Sequence, residues 1–174
     1  MPAIDTVRSA DRTAPGETGL FRDAMASFPS GVTIVTTTDV DDRWWGFTAT
    51  SFCSVSLEPP LVLVCLARTA QCHPVFADAS RWVVHVIRSD DANLATRFAT
   101  RGADKFRDVG FTADPGGPPV LDRACVRLDC TTHATYTAGD HTILLGRVRH
   151  VRVGDPAPAV YFRRAFHTLR TAAT

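Results

Sequence analysis

Gly46-Phe47-Thr48-Ala49-Thr50-Ser51-Phe52-Cys53-Ser54-Val55-Ser56-Leu57-Glu58-Pro59-Pro60-Leu61-Val62-Leu63-Val64-Cys65-Leu66 decides how this 174-residue chain reads. Its first half is dense in hydroxyls, at Thr48, Thr50, Ser51, Ser54 and Ser56. Its second half, Leu61 to Leu66, is almost purely apolar. Proline lacks an amide donor and fixes φ, so Glu58-Pro59-Pro60 punctuates two strands rather than continuing one. Leu61 to Leu66 then reads as a short strand buried on both faces. The hydroxyl half suits a strand whose polar edge and backbone face a polar ligand.

Working outward, Val32-Thr33-Ile34-Val35-Thr36-Thr37 is a β-branched strand, and Asp39 to Arg43 is a charged turn. Gly31–Thr37 and Trp45–Ser56 therefore read as an antiparallel hairpin. Trp44 and Trp45 are adjacent and point to opposite sides of it. One belongs to the core, and the other covers an interface or a ligand edge. Upstream, Phe21, Ala24, Met25 and Phe28 fall on one face of a helix that Pro29-Ser30-Gly31 ends. Residues 1–19 lack periodicity and are expected to form a flexible tail, leaving one domain over 20–174.

Downstream, Pro74 to Ala79 is a short helix, and Arg81 to Ile87 is a strand carrying His85. A lone histidine in an apolar strand reads as a packed, hydrogen-bonded residue before it reads as a catalyst. Asp90 to Ala99 is a helix with acidic residues in its first turn, which suits the helix dipole. Ala124 to His133 alternates apolar and polar as a half-exposed strand should. The turn Ala138-Gly139-Asp140 reverses the chain into a long strand, His141 to Val153. Six or seven antiparallel strands with two or three short helices make an all-β barrel with helical decorations.

Composition narrows the function. Lys+Arg 19 against Asp+Glu 18 gives a net charge of +1, and no basic stripe with interleaved aromatics predicts a nucleic-acid partner. No apolar run approaches the about 20 residues that span a bilayer, and the N-terminus has no apolar signal core. The five cysteines lack a CxxC pair, and Cys53, Cys65, Cys125 and Cys130 sit in strand-like contexts. That pattern predicts buried, reduced thiols and a cytoplasmic protein. Neither a Rossmann fingerprint nor a P-loop occurs, and no Ser-His-Asp set or metal-ligand spacing stands out.

The quoted stretch resembles the signature of the flavin reductase-like proteins, Gly-Phe-Thr-Ala-x-Ser-Phe-x-Ser-Val-Ser-Leu-x-Pro-Pro-Leu-Val-Leu. Gly139-Asp140-His141, Gly146-x-Val148 and the closing Tyr161-Phe162-Arg163 segment are similar too. The resemblance runs from about Phe21 to about Leu169. It implies the antiparallel FMN-binding split β-barrel of Greek-key type and an NAD(P)H:flavin oxidoreductase. FMN or FAD would be the flavin, and NADH or NADPH the co-substrate. A homodimer is implied, and so is a separate flavin-dependent monooxygenase that receives diffusible reduced flavin.

By the same resemblance, flavin contacts fall on Thr48, Ala49, Thr50, Ser51 and Ser54, then on Cys65, Leu66, Ala67, Arg68 and Thr69. Phe98, Lys105, Phe106 and Arg163 complete the implied set, and His141 is the implied catalytic residue beside the ring. Short hydroxyls and backbone amides suit the polar edge of an isoalloxazine. Arg68 and Thr69 before a helix start suit a phosphate. Read by residues alone, the loop after Leu66 is an ordinary surface loop, Lys105 a solvated lysine and His141 a turn residue. The family usually has Asn where His85 stands. Two rivals share the scaffold: a flavoprotein that keeps its flavin and acts on a small organic substrate, with Trp44, Trp45 and His85 reshaping the pocket, and a non-catalytic flavin or haem module.

Overall fold

Runs of β-branched and apolar residues between turn signals become strands, as their fit to a pleated surface dictates. The structure, a computed structural model, describes residues 17–154 and 156–169. Helix α1 (Glu17–Ala26) leads into β1 (Ser30–Gly31), β2 (Thr33–Thr38), β3 (Trp44–Ala49), β4 (Cys53–Ser56) and β5 (Leu61–Ala67). Then come α2 (His73–Asp78), β6 (Arg81–Val86) and α3 (Ala92–Ala99), which a 3-10 turn at Ser89–Asp91 introduces. The chain ends with β7 (Phe111–Thr112), β8 (Val120–Leu121), β9 (Val126–Ala138), β10 (His141–Val153), β11 (Ala159–Phe162) and β12 (Ala165–Thr168).

Seven strands form one antiparallel sheet in the order β3-β2-β6-β9-β10-β5-β4. β3 and β5 are not neighbours in that order, yet Phe47 and Ala49 share one core with Val62, Val64 and Leu66. The sheet therefore curls into a barrel. Ser51 clasps the closure: its hydroxyl accepts the Cys65 N–H at 2.9 Å and donates to the Cys65 carbonyl at 3.3 Å. Bulges in the β9–β10 ladder at Leu145/Gly146 and Val148/His150 add the curvature that closure needs.

The two faces of the sheet bury different things. Inside the barrel, Val35, Phe47, Val64, Phe76, Trp82, Val84 and Leu144 pack together. Outside it, α3 and the segment after it cover Val32, Ile34, Ile87, Phe98, Phe111 and Leu121. β2 serves both cores, so even Thr33, Thr36 and Thr37 are buried, with Thr36 donating to the Pro119 carbonyl at 2.7 Å. Gly146 must be glycine, because a Cβ there would enter the Trp82 ring.

Several expectations change. The tail expected over 1–19 lies outside the described residues up to position 16, and 17–19 open α1. The first hairpin is shorter than its hydroxyl pattern implies: β3 ends at Ala49, and β4 pairs with β5 instead. β5 is not buried on both faces, for Val62, Val64 and Leu66 are buried while Leu61, Leu63 and Cys65 are half-buried. Cys53 is exposed rather than buried, because β4 is an edge strand. The predicted face of α1 exists but meets no core: Phe21, Met25 and Phe28 are exposed.

Candidate functional site

A groove of about 370 Å³ opens where β3, the β5–α2 loop, the end of α3 and the start of β10 converge. The sheet register builds it. His141 stands opposite Ala67, and Ile143 opposite Cys65, so one face of β5 and β10 runs into the groove. The Arg68 N–H donates to the Asp140 carbonyl at 2.9 Å, tying the β5–α2 loop to the Gly139-Asp140 turn. His73 Nε2 and Thr142 Oγ1, 2.8 Å apart, pin the other end of that loop. Gln71 Oε1 accepts the Gly102 N–H at 2.9 Å, which joins the loop to the segment after α3.

The polar groups are few and specifically held. Thr48 Oγ1 donates to the Ala95 carbonyl at 2.6 Å, fixing β3 against α3. Lys105 Nζ donates to the carbonyls of Gly46 (3.0 Å) and Phe98 (2.8 Å). Burial pushes the Lys105 pKa down, against the pull of the neighbouring Cys72 thiol. Burial likewise raises the Cys72 thiol. Asp104, next in sequence, pairs with Arg107 at 3.0 Å, and among the described residues no carboxylate pairs with Lys105. A half-buried ammonium held only by carbonyls is a cation that an anion would complete.

His141 is half-exposed at the rim. Its Nδ1 lies 2.7 Å from Asp140 Oδ1, and that hydrogen bond holds the Asp140 carboxyl below its ordinary range. A carboxylate can only accept, so Nδ1 carries the proton and Nε2 is left to face a ligand.

Of the residues singled out from sequence, Thr48, Cys65, Leu66, Ala67, Thr69, Phe98, Lys105 and His141 line the groove. The others do not line it. Ala49 is buried in the barrel core. Thr50 lines a separate apolar cavity with Tyr161 and Phe166. Ser51 is spent on the Cys65 backbone, and Ser54 sits exposed on the edge strand. Arg68 is exposed beside the groove, and Phe106 lines a neighbouring cavity. Arg163 lies in the β11–β12 turn, its guanidinium 5.3 Å from the Phe162 ring centre. Sequence reasoning missed Gln71, Cys72 and Arg101, which also line the groove. They come from two loops with no periodicity to mark them.

Comparison with known proteins gives the family. The chain is 51% identical over 156 residues to the actinorhodin polyketide dimerase of Streptomyces coelicolor, covering 89% of this chain and 88% of that protein. It is 47% identical over 151 residues to the NADH:riboflavin 5'-phosphate oxidoreductase of Streptomyces pristinaespiralis, covering 85% and 86%. Among solved structures, it matches the Streptomyces globisporus NADH:FAD oxidoreductase SgcE6 in complex with NAD and FAD fragments. The TM-score is 0.85 at 31% identity, over 95% of this chain and all (100%) of that one. The flavin reductase like domain matches residues 25–170, and the chain belongs to that family.

Proposed function

We propose that this protein is an NAD(P)H-dependent flavin reductase that reduces FMN or FAD and releases it to a separate flavin-dependent monooxygenase. The observation that carries this reading is the convergence of Thr48, His141 and the unpaired Lys105 ammonium on one groove. Its volume lies within the range of small-molecule sites, roughly 300–1,000 Å³. A bound flavin supplies a hydride acceptor at N5. Hydride transfer asks the protein for alignment of two rings rather than for a strong acid or base.

The residues divide that task. Thr48 and the backbone of Cys65–Ala67 are placed to hold a flavin ring edge. Arg101 and Lys105 would neutralise its phosphate, and the Thr69 hydroxyl would donate to it. His141, oriented by Asp140, would position the nicotinamide through Nε2. The open groove suits a flavin that leaves after reduction.

A second copy completes the site in this reading. Leu61, Leu63 and Cys65 of β5 and Ile143 and Leu145 of β10 make a half-buried apolar sheet face that runs into the groove. The exposed apolar face of α1 adds to the unpartnered surface. We assign these to a homodimer, which predicts a light-scattering mass of twice the 18.9 kDa chain mass. Among the described residues no helix is long and apolar enough to cross a membrane. Free thiols and a nicotinamide co-substrate support a cytoplasmic setting.

The test is anaerobic NADH and NADPH oxidation with added FMN or FAD, for wild type and His141→Ala. Wild type should turn over and saturate in free flavin. His141→Ala should slow hydride transfer about tenfold to a hundredfold with flavin affinity kept. If neither nucleotide reduces flavin, the reading is wrong.

A further inference from the structure

The two adjacent tryptophans have different fates. Trp45 is engaged: its indole N–H donates to Asp39 Oδ2 at 2.9 Å, and its ring packs on the barrel core. Trp44 points the other way and is half-buried, edge-on to Phe106 with ring centres 5.4 Å apart. None of the hydrogen bonds among the described residues uses its indole N–H. Trp44 lines a second cavity, of about 270 Å³, with Phe106, Ala103 and Asp104, and Arg43 and Trp45 contribute to its wall.

That cavity is an annex of the groove. Gln71, Cys72 and Lys105 line both, so the half-buried ammonium stands at the threshold between them. The annex extends the site on the side where Thr69 and Lys105 are placed for a phosphate. Its walls offer aromatic surface for stacking a planar base, and a free indole donor for a ring nitrogen. Asp104 offers carboxylate oxygens that accept from ribose hydroxyls, while its ion pair with Arg107 at 3.0 Å tempers its charge. The lysine at the threshold would neutralise the phosphates crossing it.

We infer that the annex binds the adenosine 5'-phosphate half of a dinucleotide whose redox-active half lies in the groove. The inference rests on the flavin reductase reading. Two dinucleotides carry that half, FAD and the nicotinamide nucleotide, whereas FMN does not.

The test compares wild type, Trp44→Leu and Ala103→Phe. Ala103 lines the annex but not the groove, so the second variant fills the cavity without removing a core side chain. Dissociation constants for FMN and FAD and the KM for NADH are measured. If the annex takes FAD, both variants weaken FAD roughly tenfold, the loss of one stacked base, while FMN moves less than about twofold. If it takes the nicotinamide nucleotide, the KM for NADH rises roughly tenfold and both flavins bind as before. The proposal is overturned if all three constants stay unchanged or if FMN weakens as far as FAD. Wild type that reduces FMN normally alongside that pattern loses only the annex. Wild type that neither binds nor reduces FMN loses the underlying reading as well.

Discussion

Two glycines admit two aromatic rings, one on each face of the central sheet. Inside the barrel, Gly146 leaves room for Trp82, whose indole N–H is satisfied by Thr132 Oγ1 at 3.1 Å. On the outer face, Gly46 leaves room for Phe98, whose Cε1 would lie 2.8 Å from an added Cβ. The surroundings then diverge. Around Trp82 nearly everything is apolar and closed. Around Phe98 the same layer holds Lys105, Thr48, Thr36 and His85, and the groove opens beside it. The inner face specifies the barrel. The outer face mixes apolar rings with polar groups, of which Thr48 and Lys105 reach the groove while Thr36 and His85 are sealed beneath it.

Gly146→Ala tests the inner face and carries the largest expected effect. The added methyl would overlap the buried Trp82 ring and lie 3.1 Å from Cys130 Cβ. Overpacking of this kind costs about 3 kcal/mol, since the Cβ would overlap the ring itself and the cavity beside Trp82 and Cys130 is only about 70 Å³. Urea denaturation should show a sharply lower midpoint with the slope kept. A loss under about 1 kcal/mol would mean that Trp82 has slack, and the contrast between the faces would fail.

His85 tests the outer face by pH. It is fully buried, its Nδ1–H donates to the Ile34 carbonyl at 3.1 Å, and its Nε2 has no partner. Burial is the main cause that lowers its pKa from 6.5 to about 4. The folded state therefore refuses a proton that the unfolded chain accepts below its ordinary pKa. Stability from this group is complete above that pKa and declines toward the folded value. Between pH 6.5 and 5 the loss is about 1.6 kcal/mol, with the slope rising toward about 1.4 kcal/mol per pH unit. His85→Asn should flatten that limb in denaturation curves taken across the same range. An unchanged slope would show that the ring is not held neutral by burial.

Much of this was legible in the chain, and the failures have physical causes. The strands around Val32–Thr37, Leu61–Leu66 and His141–Val153 announced themselves through β-branched and apolar runs. The hydroxyl stretch misled by two strands' worth of register. Ser51 spends its hydroxyl on the Cys65 backbone, and such side-chain bonds compete with a continuing ladder. The barrel itself was expected, but not the clasp that helps close it, a contact between residues 51 and 65 across a turn. The face of α1 was read correctly as a face, but periodicity cannot say what covers it. At the groove, Thr48, Lys105 and His141 came through motifs. Gln71 and Arg101 did not, because their loops meet only in the fold, where the Gly102 N–H donates to Gln71 Oε1.

Gly46→Ala carries the smallest stability effect and sharpens the comparison most. Its nearest neighbour is the edge of the Phe98 ring, on a helix flanked by cavities rather than sealed in a barrel. The ring can shift outward, so the cost should be about 1 kcal/mol, near the low end for overpacking. The shift is not silent, however. Gly46 and Phe98 supply the two carbonyls that hold Lys105 Nζ. Moving either loosens the ammonium that the groove presents to an anion. Gly46→Ala should therefore weaken FMN binding about fivefold while lowering the urea midpoint only slightly, the reverse of Gly146→Ala. Equal stability losses from the two substitutions, with FMN affinity intact in both, would mean that the two faces are packed alike and that the outer one is not shaped around its ligand.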